Sequence, residues 1–432
     1  MNLRFAALPV LCFSASAIAA HYHVEIRDDR AFVKITLDRE PSTEFRMPAW
    51  APGDYRIVDL GKGLANVKFS RAGAPVEAQH PSANLWTIDG GADAVFYTVA
   101  SGDPGIFSEN LRITADEAFI QGPAVLGYFS GHVKEPQTLA VTPYPTADAK
   151  VVSPLENRDG VFSAPNYDWL IDSPLVMGSK LKVEPFTVGG KPFRIAGFGR
   201  VGATDLKPFA DVCAKIAAEC GKLFGEIPSK SYTFFLDFGG PGGGLEHLDS
   251  ARLAMWPGMS ADRAASFLAH EYFHRYNVKR IRPLPLGPFD YTKPAATGAL
   301  WWLEGVTDYY AEVITFRAGL KSRQEVLAAL SDGLRALARD PDRLKVSARD
   351  ASLRVWEAGN SSGYGIDYYS KGKLIGWCLD MAIRAQTGGK NSLDDVMLAL
   401  YAECKEGKPG FAEDRIRELC VRIGGSALGP IY

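Results

Sequence analysis

The chain has 432 residues, 47% of them hydrophobic and 11% aromatic, with 48 basic against 50 acidic side chains for a formal charge of -2. That length and apolar content predict a large core shared between two or three domains. The near-neutral balance offers no broad basic field for holding phosphate backbones, which argues against a nucleic-acid partner.

Residues 1–20 read as a secretory signal peptide. Arg4 stands in a short basic region, an apolar run follows from Phe5 to Phe13, and small residues end at Ala19 and Ala20, where cleavage is expected. The expected location is therefore secreted or periplasmic. Leu11 before Cys12 is too large for a lipoprotein anchor. No later run reaches the ~18 apolar residues of a membrane span. Cys213 and Cys220, seven residues apart in one helical pattern, would be separated by ~10 Å, beyond disulfide reach. Cys404 with Cys420 is geometrically open, no pair shows zinc-finger spacing, and with Cys378 all five are expected as buried thiols.

From 21 to 180 the pattern is β. Tyr22–Ile26, Val33–Leu37 and Val95–Val99 alternate, with turn residues between them, and predict a sandwich-like domain. Met47–Arg56 is too rich in Pro and Gly for a central strand and reads as a packed loop without evident chemistry. The next domain, 181–320, opens on a hairpin at Gly189-Gly190, followed by a helix over about 205–224 and a strand over 232–238. The run from Gly239 to His247 then admits two readings, a close backbone approach to something or a flexible surface loop.

His270-Glu271-Tyr272-Phe273-His274 carries an HExxH signature inside an apolar stretch. Two histidines four apart lie on one helix face, so both rings can reach one metal, and Glu271 sits close enough to accept a proton from a bound water. Zinc held by two imidazoles needs a third protein ligand and an open position. Ser260 is placed to cap this helix. Arg275, Lys279, Arg280 and Arg282 suit its negative end, and Pro283 and Pro285 are expected to stop it.

A second helix is predicted over 299–312. Glu304 stands there in strongly apolar company, where a carboxylate is costly unless paired or bound to metal, which makes it the best third ligand. Asp308, one turn on, falls on the same face and can accept the remaining N–H of a ligating histidine. From 321 to 432 the pattern is mostly helical, with Gly388-Gly389 as a helix stop, and it contains Tyr368-Tyr369-Ser370-Lys371-Gly372.

Taken together, Met47–Gly53, Tyr167–Pro174, Gly243–His247, His270–Pro283, Leu303–Tyr310 and Tyr369–Gly372 resemble the glycyl aminopeptidase family of zinc metallopeptidases, thermolysin-like enzymes with HExxH and a distant glutamate. The resemblance covers nearly the whole mature chain and implies an α+β protein with a thermolysin-like catalytic domain. It implies one Zn2+ per chain on His270, His274 and Glu304, with Glu271 as general base. It places Gly243, Gly244 and Glu246 in the substrate-edge motif, with Glu246 binding the free amino terminus of a peptide, although the family usually has Met and Asn where this chain has Leu245 and His247. Tyr369 matches the tyrosine that stabilises the oxyanion. Many relatives continue into a PDZ-like domain beyond the point where this sequence stops. The activity expected is removal of small N-terminal residues, Gly or Ala. An endopeptidase on the same site is the first alternative, and a catalytically silent zinc-containing binding protein the second, though the general base and the tyrosine are both present.

Overall fold

The computed structural model describes residues 19–102, 111–240, 242–358, 366–405 and 407–431. The expected leader, with Cys12, and Pro241 of the glycine-rich run lie outside the described residues.

Three sheets form the first part of the protein. The largest has eight strands, with Ala20–Arg27 between Gln137–Val141, to which it is parallel, and Arg30–Leu37, to which it is antiparallel. Strict alternation buries one face, for example Tyr22, Val24 and Ile26 with Val33 and Ile35. A four-stranded sheet built on Ser42–Arg46 and Leu85–Ala92 closes over that face, and Phe45 at its centre meets the rings of Phe69, Trp86, Tyr97 and Phe129. The third sheet, containing Glu117–Ile120 and Leu175–Gly178, turns toward the rest of the protein.

The second part is a five-stranded sheet in the order Lys182–Val188, Lys191–Gly199, Tyr232–Phe238, Ser250–Met255 and Gly244–Glu246. Its middle three strands are parallel and the last is an antiparallel edge. Every residue of Tyr232–Phe238 and Ser250–Met255 is buried, because both faces are covered. On one face lie the helices Lys207–Phe224 and Ala261–Phe273. On the other, Phe119, Val152 and Val176 of the first part pack with Ala196, Phe198 and Phe235. A buried ion network crosses the same seam. Arg112 donates to both oxygens of Asp237 at 2.9 and 3.0 Å, and Arg252 reaches Asp237 at 2.6 Å. Breaking one partner of such a cluster strands the others without water, so the two parts are held in one register.

The end of the glycine run, Gly244–Glu246, is a hydrogen-bonded edge strand and not a flexible loop. Ser260 caps the HExxH helix by accepting from Arg263 N at 3.4 Å. That helix ends at Phe273, ten residues before Pro283, so the prolines do not stop it and the cations beyond do not form its last turn. Arg275 instead lies over the Tyr232 ring at 4.8 Å, and Lys279 pairs with Asp172 at 3.0 Å. The predicted second helix is an α-helix only over Thr307–Arg317; Trp301–Val306 is a π-helical turn. The C-terminal region is helical, with Tyr368–Thr387 ending at Gly388, whose φ is 62°. Cys213, Cys220, Cys404 and Cys420 are buried thiols, whereas Cys378 is exposed, contrary to expectation. No helix of the described residues is long and apolar enough to cross a membrane.

Candidate active site

The HExxH helix and the π-helical turn bring three donors together. His270 Nε2 and His274 Nε2 stand 2.9 Å apart, and Glu304 Oε2 lies 3.5 and 3.1 Å from them. Ligands at ~2.0–2.1 Å from a tetrahedral zinc are separated by roughly 3.3 Å, so the spacing suits that ion. The tautomers point the same way. His274 Nδ1 donates to the carbonyl of Asn277 at 2.9 Å, and His270 Nδ1 bonds Asp308 Oδ1 at 2.8 Å. Each neutral ring therefore turns a lone pair on Nε2 toward the other and toward a carboxylate, an arrangement that is repulsive unless a cation sits between them. Among the described residues this is the one group of three that could hold a metal ion.

Charge in the site follows the same logic. Burial alone would raise the Glu304 carboxyl, but the two histidines beside it hold it well below the usual range. Burial likewise opposes charge on His270, yet Asp308 and Glu304 outweigh it and hold the ring well above its ordinary value. The cluster as a whole favours positive charge, as a proton or as a metal.

Glu271 projects from the same helix toward the edge strand. It is 5% exposed, and burial pushes its carboxyl up to about 7 against the pull of His270 and His274. Its Oε2 has no hydrogen-bond partner among the described residues. Gly244 makes this placement possible, since a Cβ there would stand within 2 Å of Glu271 Oε1 (1.9 Å). Gly243 beside it has φ of 110°, in the region that favours glycine.

Two residues along the strand lies Glu246, 5% exposed, whose carboxylate makes no hydrogen bond or ion pair with any described residue. The strand is fixed from its other end. Asp172 Oδ2 accepts from Leu248 N at 2.7 Å, and Asp172 Oδ1 meets His247 Nδ1 at 3.1 Å and Lys279 Nζ at 3.0 Å. His247 thus has an anchoring role of its own at the position where it departs from the family pattern.

Tyr369 reaches the site through a close helix contact. A Cβ on Gly372 would come 2.4 Å from Trp301 O and 3.0 Å from Gly305 Cα, so the Tyr368 helix lies directly on the π-helical turn. That contact sets the Tyr369 ring stacked at 6.1 Å from His270. The residue is 38% exposed, but the packing around its phenol and then the charge of Glu304 hold that group well above its ordinary value, and as a neutral phenol it can donate a hydrogen bond.

Sequence reasoning missed three contributors. Asn277 donates to Trp302 O at 2.9 Å and Thr307 Oγ1 at 3.0 Å, tying the HExxH segment to the turn that carries Glu304. Gly53 rests on Glu246. Asp172 lay inside a quoted motif, but no local pattern pointed to its partners 75 and 107 residues away.

The α+β fold and this constellation define the class, a metallopeptidase with two helix-borne histidines and a distant glutamate. Sequence models of the M61 glycyl aminopeptidase and of the Peptidase M61 N-terminal domain match residues 263–375 and 21–179. The chain belongs to the M61 glycyl aminopeptidase family. Among solved structures it is similar to an aminopeptidase N family protein from Idiomarina loihiensis, at 27% identity and a TM-score of 0.84 over 92% of this chain and 72% of that one. It shares its fold with an M1 zinc metallopeptidase variant from Deinococcus radiodurans bound to a Tyr-Ser-Ala substrate, at 14% identity and a TM-score of 0.58 over 96% and 92% of the two chains. The same holds for yeast LTA4 hydrolase in complex with bestatin, at 12% identity and a TM-score of 0.57 over 96% and 66%. No curated protein matches the chain.

Proposed function

We propose that the protein is an exported zinc aminopeptidase that removes small N-terminal residues, glycine or alanine first, from peptides with a free amino terminus. His270, His274 and Glu304 would hold one zinc per chain, and Asp308 would orient His270. Bound zinc supplies polarisation of the scissile carbonyl and of the attacking water. Glu271 takes the proton of that water and later delivers it to the leaving amine; its raised proton affinity suits a base that must also act as an acid. Tyr369 donates a hydrogen bond to the oxygen on which charge develops. Export is read from the leader at 1–20.

The observation that carries the exopeptidase reading is Glu246. A buried carboxylate without a cation beside it is costly, and a substrate ammonium would relieve that cost. Glu246 is two residues along the strand from Gly244, which touches Glu271, and two strand residues advance about 6.6 Å. That separation accommodates one residue between ammonium and scissile carbonyl.

The test is a scan of aminoacyl 4-nitroanilides, free and N-acetylated, with metal analysis of the same preparation. Cleavage of the free glycyl and alanyl amides, lost on acetylation, is the expected result. Equal cleavage of acetylated peptides would mean an endopeptidase, and a Glu271→Gln enzyme that keeps both its zinc and its rate would overturn the mechanism.

A further inference from the structure

Resting on that aminopeptidase reading, the geometry points to the Pro52–Tyr55 turn of the N-terminal β region as the end wall of the cleft: we infer that it stops the substrate one residue beyond the metal ligands.

Gly53 lies directly against the edge strand. Its φ is +91°, and a Cβ on it would stand 2.4 Å from Leu245 Cδ1 and 3.2 and 3.3 Å from the two carboxylate oxygens of Glu246. Nothing larger than backbone fits between the turn and the carboxylate, so a chain extending past an ammonium on Glu246 would meet Gly53.

The wall is rigid. Asp54 N donates to Ala51 O at 2.9 Å, and the fully buried Asp54 carboxylate accepts from Arg56 Nε at 2.9 Å. Trp50 donates from Nε1 to Asp290 O at 2.8 Å. Behind the turn, Trp356 meets the Trp50 ring edge-on at 5.4 Å and the Tyr55 ring at 6.0 Å.

Gly53→Ala in the full zinc-loaded chain tests this with the glycyl 4-nitroanilide, beside wild type on the same amide free and N-acetylated. The methyl on Gly53 pushes on Glu246 and should raise KM for the glycyl amide about tenfold while kcat changes less than about threefold. Should Gly53→Ala not fold, the same substitution combined with Leu245→Ala, which removes the Cδ1 that the new methyl would meet at 2.4 Å, reads the same KM. Folded, zinc-replete variants whose KM for the glycyl amide stays within about twofold of wild type would overturn the wall. The wild-type arm separates the two failures. If wild type cuts N-acetylated and free substrates equally, the aminopeptidase reading falls and the wall with it. If wild type requires a free amine but the variants do not shift, the wall alone falls.

Discussion

Gly372→Ala isolates the contact that delivers Tyr369 to the site. The added Cβ would lie 2.4 Å from Trp301 O, 3.0 Å from Gly305 Cα and 3.1 Å from Trp301 C, all backbone atoms that cannot rotate away. Ordinary non-bonded contact for these atoms is about 3.5 Å, so the Tyr368 helix and the π-helical turn must separate by about 1 Å. Overpacking of this kind costs about 1–3 kcal/mol of stability. Tyr369 is three residues from Gly372 on the same helix and moves with it, away from a ring now stacked 6.1 Å from His270. A misplacement of about 1 Å at a catalytic group lowers turnover by up to about 100-fold, or ~2.7 kcal/mol, which sets the expected loss of kcat. The assay is kcat and KM on a glycyl amide, with zinc content and melting temperature measured on the same sample. Tyr369→Phe serves as the reference, since it deletes only the hydroxyl and should lower kcat without the loss of stability. A Gly372→Ala enzyme with wild-type kcat and melting temperature would refute the claim that this glycine contact positions the tyrosine.

Two further predictions follow from the hydrogen bonds around the site. Asp308→Ala removes the acceptor of His270 Nδ1, 2.8 Å away, and should weaken zinc binding about 10- to 100-fold in a chelator competition, while leaving the chain folded; an unchanged affinity would remove Asp308 from the ligand-orienting role. Burial alone would raise the Asp172 carboxyl, but Lys279, His247 and the Leu248 amide hold it below its ordinary range. A carboxyl depressed in the folded state contributes stability above its unfolded value of about 3.9 and loses it as pH falls through the folded value. Asp172→Asn should therefore cost about 2 kcal/mol in denaturant unfolding at pH 7, and the difference from wild type should shrink below about pH 4. A gap that instead widens toward low pH would contradict the assignment of charge to Asp172.

Much of the metal cluster was legible because it obeys local rules. His270 and His274 share a face by helix periodicity alone, and Glu304 stood out because a carboxylate among Trp301, Trp302, Leu303 and Val306 has no local means of compensation. Asp308 followed from the same one-turn spacing, although the π-helical turn before it was invisible to a pattern that assumes 3.6 residues per turn. The cations after His274 misled for the opposite reason. Their order along the chain suited a helix end, yet two of the four found distant partners in the fold, Tyr232 for Arg275 and Asp172 for Lys279.

What the chain determines by itself is the chemistry that neighbours in sequence can assemble, namely two imidazoles and a base on one helix and a third carboxylate on the next. What only the tertiary structure decides is where that chemistry stops. Glu246 lacks a cation because of what the fold leaves out around it, and Gly53 meets it from nearly two hundred residues away in the sequence. Tyr369 reaches His270 because two glycines let backbones touch, a contact that has no signature at either position alone. Such contacts join separate sheets and helices, so they follow from packing and not from any periodicity.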